Sequence, residues 1–403
     1  MAAPPEQSTD AAPHHVEVAE SEDVPAEVKP RDRKESVSHI KLEEPEGVPQ
    51  HSHDAEAGQR LKNDKGWDGK LRVDRATLAN PEALSDPEYS DEENVLPGEE
   101  ISADEDLLDG EPPDTDEIIV IQSRVSSIPA LRLDRFKKVA RLCFRQNSIQ
   151  TIEGLSCLAE TLTELDLYDN LITRIRGLDD LTNLTSLDLS FNKIRHIKNV
   201  DHLTKLRELF LVSNKISRIE GLDNLRNLTS LELGSNRIRQ IQNLDSLSNL
   251  EELWLAKNKI TDLTGLACLP KLRLLSIQAN RIRDLSPLAD VPQLEELYIS
   301  HNALETLAGL ENNTKLRILE ISNNKITSLE GLGPLTELEE LWASYNLLAD
   351  FAEVERVLKD KKELSTVYFE GNPLQTRGPA LYRNKVRLAL PQVAQIDATF
   401  VKV

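Results

Sequence analysis

The stretch LTELDLYDNLITRIRGLDDL (Leu162–Leu181) is echoed by LTSLDLSFNKIRHIKNVDHL (Leu184–Leu203). Leu, Asn and Ile return at the same places while the residues between them change. The constant set builds a scaffold, and the variable set chooses what the scaffold meets.

Outward from this pair, the pattern L-x-L-x-x-N-x-I recurs from Leu142. Its Asn falls at Asn147, Asn170, Asn192, Asn214, Asn236, Asn258, Asn280, Asn302, Asn324, Asn346 and Asn372, in steps of 22 residues from Asn170 through Asn346. A period of this length specifies a leucine-rich-repeat solenoid. Within L-x-L the period is two, so the Leu pair points into the stack and the middle residue points out, on parallel strands about 4.8 Å apart. These strands are predicted to line the concave face. The Asn amide is placed to satisfy backbone groups where the chain leaves the strand, as a buried ladder. The few residues after it, often ending in Gly-Leu as in IEGL at Ile152 and Ile219, predict short 3₁₀ turns on the convex face.

A solenoid must hide its ends. Before Leu142, VIQSRVSSIPALRLDRFKKV reads as a degenerate first repeat with Arg124 in the Asn place. After Asn372, PLQTRGPALYRNKVRLALPQVAQID reads as a proline-started amphipathic helix that closes the last repeat. Residues 117–370 are thus the solenoid, about eleven repeats after the degenerate one, and 371–403 its cap. Residues 1–116 have another composition. Acidic residues exceed basic ones by 22 from Met1 to Glu117, so the remaining 286 residues, in a chain of net charge −21, sum to about +1. The first segment is rich in Pro, Glu, Asp and Ser and too poor in aliphatic residues to offset its ordering entropy, which predicts a disordered acidic tail. In it Ser85, Ser90 and Ser102 each precede an acidic residue by three places, which suits an acid-directed kinase. The start MAAPPEQSTD has no targeting signal, no stretch is long enough to span a membrane, and three unpaired cysteines suit a reducing, intracellular setting.

The variable set has a pattern of its own. The middle residues of the L-x-L units form one exposed column: Cys143, Asp166, Asp188, Phe210, Glu232, Trp254, Ser276, Tyr298, Glu320, Trp342 and Tyr368. Aromatic residues take five of these eleven places although they are 4% of the chain. One residue before the first Leu runs a second column with Glu164, Glu208, Glu252, Glu296 and Glu340, read as like charges stacked at neighbouring strand spacing, an arrangement that folding alone would not favour. Basic residues gather beyond the Asn turn, at Lys193, Arg195, Lys215, Arg218, Arg237, Arg239, Lys259, Arg281 and Arg283. Rings set between carboxylates match a protein interface of aromatic anchors in a charged surround, and predict a partner with a basic surface. Nucleic acid needs the opposite sign. No phosphate loop, HExxH, CxxC or nucleophile elbow is present, and no metal or cofactor is expected. An open wall of carboxylates is expected to lack a pocket that would raise one pKa above another, so a binding protein is expected rather than an enzyme.

The near-uniform repeat with LYDNLI, EGL and EELWLAKNKI, closed by GNPLQTRGPALYRNKVRLALPQVAQIDATFV, resembles the leucine-rich-repeat regulatory subunits of protein phosphatase 1, of the regulatory-subunit-7 type, over roughly Asp116 to Val403. The resemblance implies a non-catalytic protein, mainly nuclear and also cytoplasmic, whose concave face holds the phosphatase catalytic subunit and regulates its activity or maturation, sometimes beside a small inhibitor protein. It places contacts at Asp188, Phe210, Glu232, Trp254, Glu320, Glu340, Trp342 and Tyr368; the column itself adds Asp166 and Tyr298. The basic-Val-x-Phe docking peptide of other phosphatase subunits has no good copy, which agrees with docking through the wall. Solenoids of this class also serve as spliceosomal scaffolds and microtubule-motor light chains, and these remain alternative readings.

Overall fold

The computed structural model describes residues 107–401. The tail up to residue 106, with Ser85, Ser90 and Ser102, lies outside the described residues.

Twelve three-residue strands stack in chain order: β1 (Glu117–Ile119), β2 (Arg141–Cys143), β3 (Glu164–Asp166), β4 (Ser186–Asp188), β5 (Glu208–Phe210), β6 (Ser230–Glu232), β7 (Glu252–Trp254), β8 (Leu274–Ser276), β9 (Glu296–Tyr298), β10 (Ile318–Glu320), β11 (Glu340–Trp342) and β12 (Thr366–Tyr368). Two-residue strands β13 (Gln395–Ile396) and β14 (Thr399–Phe400) extend the sheet, and only the last pairing is antiparallel. Register is strict, Leu opposite Leu: Leu187 faces Leu209, Leu209 faces Leu231 and Leu231 faces Leu253. In the turn that starts on β4, Leu187, Leu189, Ile194, Ile197, Val200, Leu203 and Leu206 are all fully buried. Each such side chain contributes about 1.5–3 kcal/mol by leaving water.

The Asn residues join one turn of the solenoid to the next. Asn192 Nδ2 donates to the Leu167 carbonyl of the preceding repeat (3.0 Å) and to Leu189 and Ser190 of its own, while its Oδ1 accepts from the backbone N–H of Ile172 (2.9 Å). The same set recurs at Asn346, with Ile321, Ala343 and Ser344 as acceptors and the Ile326 N–H as donor. The ladder therefore runs from amide to backbone rather than from amide to amide. Just before each Asn the chain turns through a left-handed residue, with φ between 52° and 55° at Asp169, Phe191, Ser213, Ser235, Lys257, Ala279, His301, Asn323 and Tyr345. On the far side a second left-handed position falls on Gly177, where a Cβ would lie 2.1 Å from the Ile152 carbonyl oxygen. One repeat later Asn199 takes that place and donates to the Ile175 carbonyl (2.8 Å). The sequons at Asn183, Asn227 and Asn312 have similar uses, their amides donating to carbonyls of the repeat before.

The outer wall consists mostly of i→i+3 turns, as in Leu181 N–H to Leu178 O and Leu203 N–H to Val200 O, with brief 3₁₀ helices at Ser156–Leu158 and Ser286–Asp290. The exception is helix α1 (Phe351–Leu358), N-capped by Asp350, in the one repeat whose Asn step is 26 residues. Behind α1, Lys361 is buried and its Nζ donates to the carbonyls of Leu332 (2.6 Å) and Leu335 (2.7 Å).

Two boundaries differ from the sequence reading. Because Ile118 pairs with Leu142, the first-repeat equivalent of Asn147 is Ser123 and not Arg124; Asn147 Oδ1 accepts from both the Ser123 and Val125 N–H groups. Residues 107–116, assigned to the tail, pack on this first turn: Leu108 is buried, Asp109 pairs with Arg135 at 2.7 Å, and the Asp116 carbonyl accepts from Ala140 N–H. At the other end α2 (Pro373–Thr376) and α3 (Pro379–Ala389) form the expected cap, with Tyr382, Val386 and Ala389 buried. Asp397 ties it down, accepting from Tyr382 Oη and from the Phe369 and Glu370 N–H groups.

Asn346→Ala should cost about 1–3 kcal/mol, because it leaves the backbone N–H of Ile326 without its acceptor, while the Ile321, Ala343 and Ser344 carbonyls keep donors from Asn324, Asn372 and Asn323; urea denaturation of the full chain measures this. Truncation after Gly371 should uncover the buried edge of Leu364, Val367 and Phe369 and yield aggregated protein, read by light scattering.

Candidate protein-binding face

Side chains on the exposed side of the sheet stand in register by the same pairing that stacks the Leu. The middle column runs Asp166, Asp188, Phe210, Glu232, Trp254, Ser276, Tyr298, Glu320, Trp342, Tyr368, each opposite the next. Every predicted contact except Glu340 lies in this column, and Glu340 lies beside it on the strand of Trp342. The second column is not a run of adjacent like charges. Glu164, Glu208, Glu252, Glu296 and Glu340 sit on alternate strands, separated by Ser186, Ser230, Leu274 and Ile318. Repulsion within that column is therefore weaker than adjacent placement would give.

Two of these glutamates hold rings instead. Tyr298 Oη donates to Glu296 (2.8 Å) and Trp342 Nε1 donates to Glu340 (2.9 Å), each two residues along one strand. A ring and a carboxylate on the same face of one strand are natural neighbours, since side chains two apart point the same way. Trp342 also packs against Tyr368 at a centroid distance of 5.3 Å. Burial and the Glu296 carboxylate both push the Tyr298 phenol up, so it stays a donor. Outside these columns, at the strand flank, the charges do alternate: Arg273 bridges Glu251 (3.3 Å) and Glu295 (3.2 Å), and Arg317 pairs with Glu339 (2.8 Å). Counterions are thus used where this scaffold needs them, and the central face carries few.

At the N-terminal end the face is balanced from within. Arg145 pairs with Asp166, reaches Asp188 at 3.7 Å and lies over the Tyr168 ring, which stacks on Phe191 at 4.7 Å. Tyr168, Phe191 and Tyr345 escaped the sequence reading because they follow the L-x-L unit. Phe191 is 43% and Tyr345 55% exposed, both in the left-handed conformation that bulky residues rarely adopt. The signal for Phe191 and Tyr345 is an aromatic at a turn position that smaller or polar residues fill elsewhere.

The carboxylates of the column differ in kind. Glu320, 7% exposed, accepts from the backbone N–H groups of Ser300 (3.2 Å) and Ser322 (3.3 Å), and burial still raises its pKa. Asp188 is raised by burial too, against a backbone bond from Ser190 that lowers it. Glu232 lies between Phe210 and Trp254 on the neighbouring strands, and among the described residues no hydrogen bond offsets its partial burial. Desolvation first, then the charges of Asp188, Glu252 and Glu208, push it up to about 7. This corrects the expectation that an open wall cannot set one carboxylate apart from the rest: burial in the column, with three like charges near it, does so. Among the described residues no group of His, Cys, Asp and Glu is arranged to hold a metal ion, and no helix is long and apolar enough to cross a membrane.

Since the native Glu232 keeps a proton that the unfolded chain releases at its ordinary pKa of 4.5, stability should fall as pH rises from about 4.5 to about 7 and level off above. Glu232→Gln should therefore raise the melting temperature at pH 8 and leave it nearly unchanged at pH 4, by differential scanning calorimetry.

Residues 160–203, 204–246, 248–290 and 292–335 match the family model of leucine-rich repeats, two copies in each match. Protein phosphatase 1 regulatory subunit SDS22 of Schizosaccharomyces pombe is 56% identical over 73 residues, 18% of this chain and 21% of that protein. Human protein phosphatase 1 regulatory subunit 7 is 62% identical over 45 residues, 11% of this chain and 12% of that protein. The matched stretches thus span about a fifth or less of these relatives. Among solved structures, an internalin of Listeria monocytogenes superposes with a TM-score of 0.58 at 28% identity, over 71% of this chain and 87% of its own. The described residues fold as a leucine-rich-repeat solenoid, and its repeats are similar to those of protein phosphatase 1 regulatory subunits.

Proposed function

We propose that the chain is a non-catalytic regulatory subunit that seats the catalytic subunit of protein phosphatase 1 against its exposed sheet face and regulates that enzyme's activity or maturation. The names of its relatives support the choice of partner. The observation that carries the mode of binding is the pre-set ring: Trp342 is fixed by Glu340 and Tyr368, and Tyr298 by Glu296, before any partner arrives. An aromatic anchor already held in one rotamer loses little entropy on docking. The carboxylates around it favour a partner surface rich in Lys and Arg. On this reading the protein works in the nucleus and the cytoplasm, and a small phosphatase inhibitor protein can join the complex without displacing the wall.

Titration calorimetry against the purified catalytic subunit tests the proposal. Trp342→Ala should cost about 2 kcal/mol or more of binding while the thermal melt stays close to wild type, because the ring lies outside the Leu stack. Glu340→Lys should weaken binding further at low salt than at high salt. Wild-type affinity in Trp342→Ala would place the interface elsewhere.

A further inference from the structure

Among the partly or fully buried carboxylates of this face, one lacks what the others have. Glu296 and Glu340 hold rings, Glu320 is met by two backbone N–H groups, and Asp166 and Asp188 share Arg145. Glu232 is partly buried in the same column, yet its carboxylate has no hydrogen-bond donor or cation among the described residues. Its side neighbours on β5 and β7 are the rings of Phe210 and Trp254. The ionisable groups that bear on it are Asp188 on β4, Glu208 on β5 and Glu252 on β7, all carboxylates; its own strand contributes Ser230, and no basic group is among them. The indole Nε1 of Trp254 is also buried without a partner. The unpartnered carboxylate is costly in the free protein and becomes favourable once a cation sits beside it, since the aromatic faces and the carboxylate attract positive charge; the indole N–H, a donor, would need an acceptor elsewhere on the partner.

We propose that the notch formed by Phe210, Glu232 and Trp254 accepts one Lys or Arg side chain of the partner, and that filling it expels a proton from Glu232 into solvent. The proposal rests on the phosphatase reading above and adds the residue that selects the cation and the proton that leaves. The balance is simple: the free face carries Glu232 largely as the neutral acid below neutral pH, the incoming ammonium or guanidinium stabilises the carboxylate, and one proton passes to buffer. The tendency of Glu232 to stay protonated to about pH 7 sets the window. Above that pH the proton is already gone and binding releases none.

The test is calorimetry of the full chain with the phosphatase catalytic subunit at pH 6, in two buffers of different ionisation enthalpy, with affinities at pH 6 and pH 8. Wild type should release close to one proton at pH 6 and bind about tenfold more weakly there than at pH 8. Glu232→Gln should lose both effects, while Glu305→Gln, an exposed carboxylate outside both columns, with thermal melts as folding control, should keep them. Without partner, tryptophan fluorescence should titrate with a midpoint near 7 in wild type and not in Glu232→Gln. Tight binding with the same proton count and pH dependence in wild type and Glu232→Gln would overturn the notch while leaving the phosphatase reading intact. No binding by any variant would instead remove the phosphatase reading, and a fluorescence midpoint near 4.5 would overturn the notch independently.

Discussion

The structure depends on one side-chain amide repeated along its length. Each Asn spends its donors on carbonyls of two successive turns and its acceptor on an N–H of the earlier one, so no turn can close its backbone bonds without the next. The Leu and Ile residues supply the driving force for stacking, but apolar burial has no direction and would tolerate slippage. The amide sets the angle at which the chain leaves each strand, and with it the register that brings Leu over Leu and ring beside carboxylate. It also forces the left-handed residue just before it, at about 1–2 kcal/mol for a side chain other than glycine.

Much of this was legible in the sequence because repetition averages away local ambiguity. The pattern around Asn192 is repeated so often that the strand, the outward residue and the buried amide follow together. Legibility failed where repetition failed. At the first turn Ser123 takes the Asn place, and with neither a Leu pair nor an Asn to fix the frame, the register could be misplaced by one residue to Arg124. The helix at Phe351–Leu358 was missed although the step from Asn346 to Asn372 is four residues longer than the rest, room enough for a turn of helix that the short-turn expectation did not use.

The exposed face was legible in composition but not in pairing. Its columns could be written down from spacing alone, and Trp342 beside Glu340 follows from the period of two. The alternation of glutamates with Ser, Leu and Ile between strands was equally present in the sequence and was obscured by reading only the acidic members. What spacing could not supply was environment: that Glu320 would find backbone donors and Glu232 none depends on the orientation of Ser300 in the preceding turn and of Ser322 in its own. Protonation state is a property of three strands at once, and a single strand's sequence does not contain it.

The strict register makes the sheet face a ruler. Trp254 and Trp342 lie four strand spacings apart, about 19 Å at about 4.8 Å each, and this distance changes only in whole divisions. Point substitutions can change what stands at a division but not where the division lies. Gain or loss of one complete repeat between the two tryptophans would move them by one division and leave every Leu and Asn contact within the turns intact. A partner that reads both rings would then be refused by a protein as stable as before, so fidelity to one partner is recorded in the number of turns as much as in the identity of the residues.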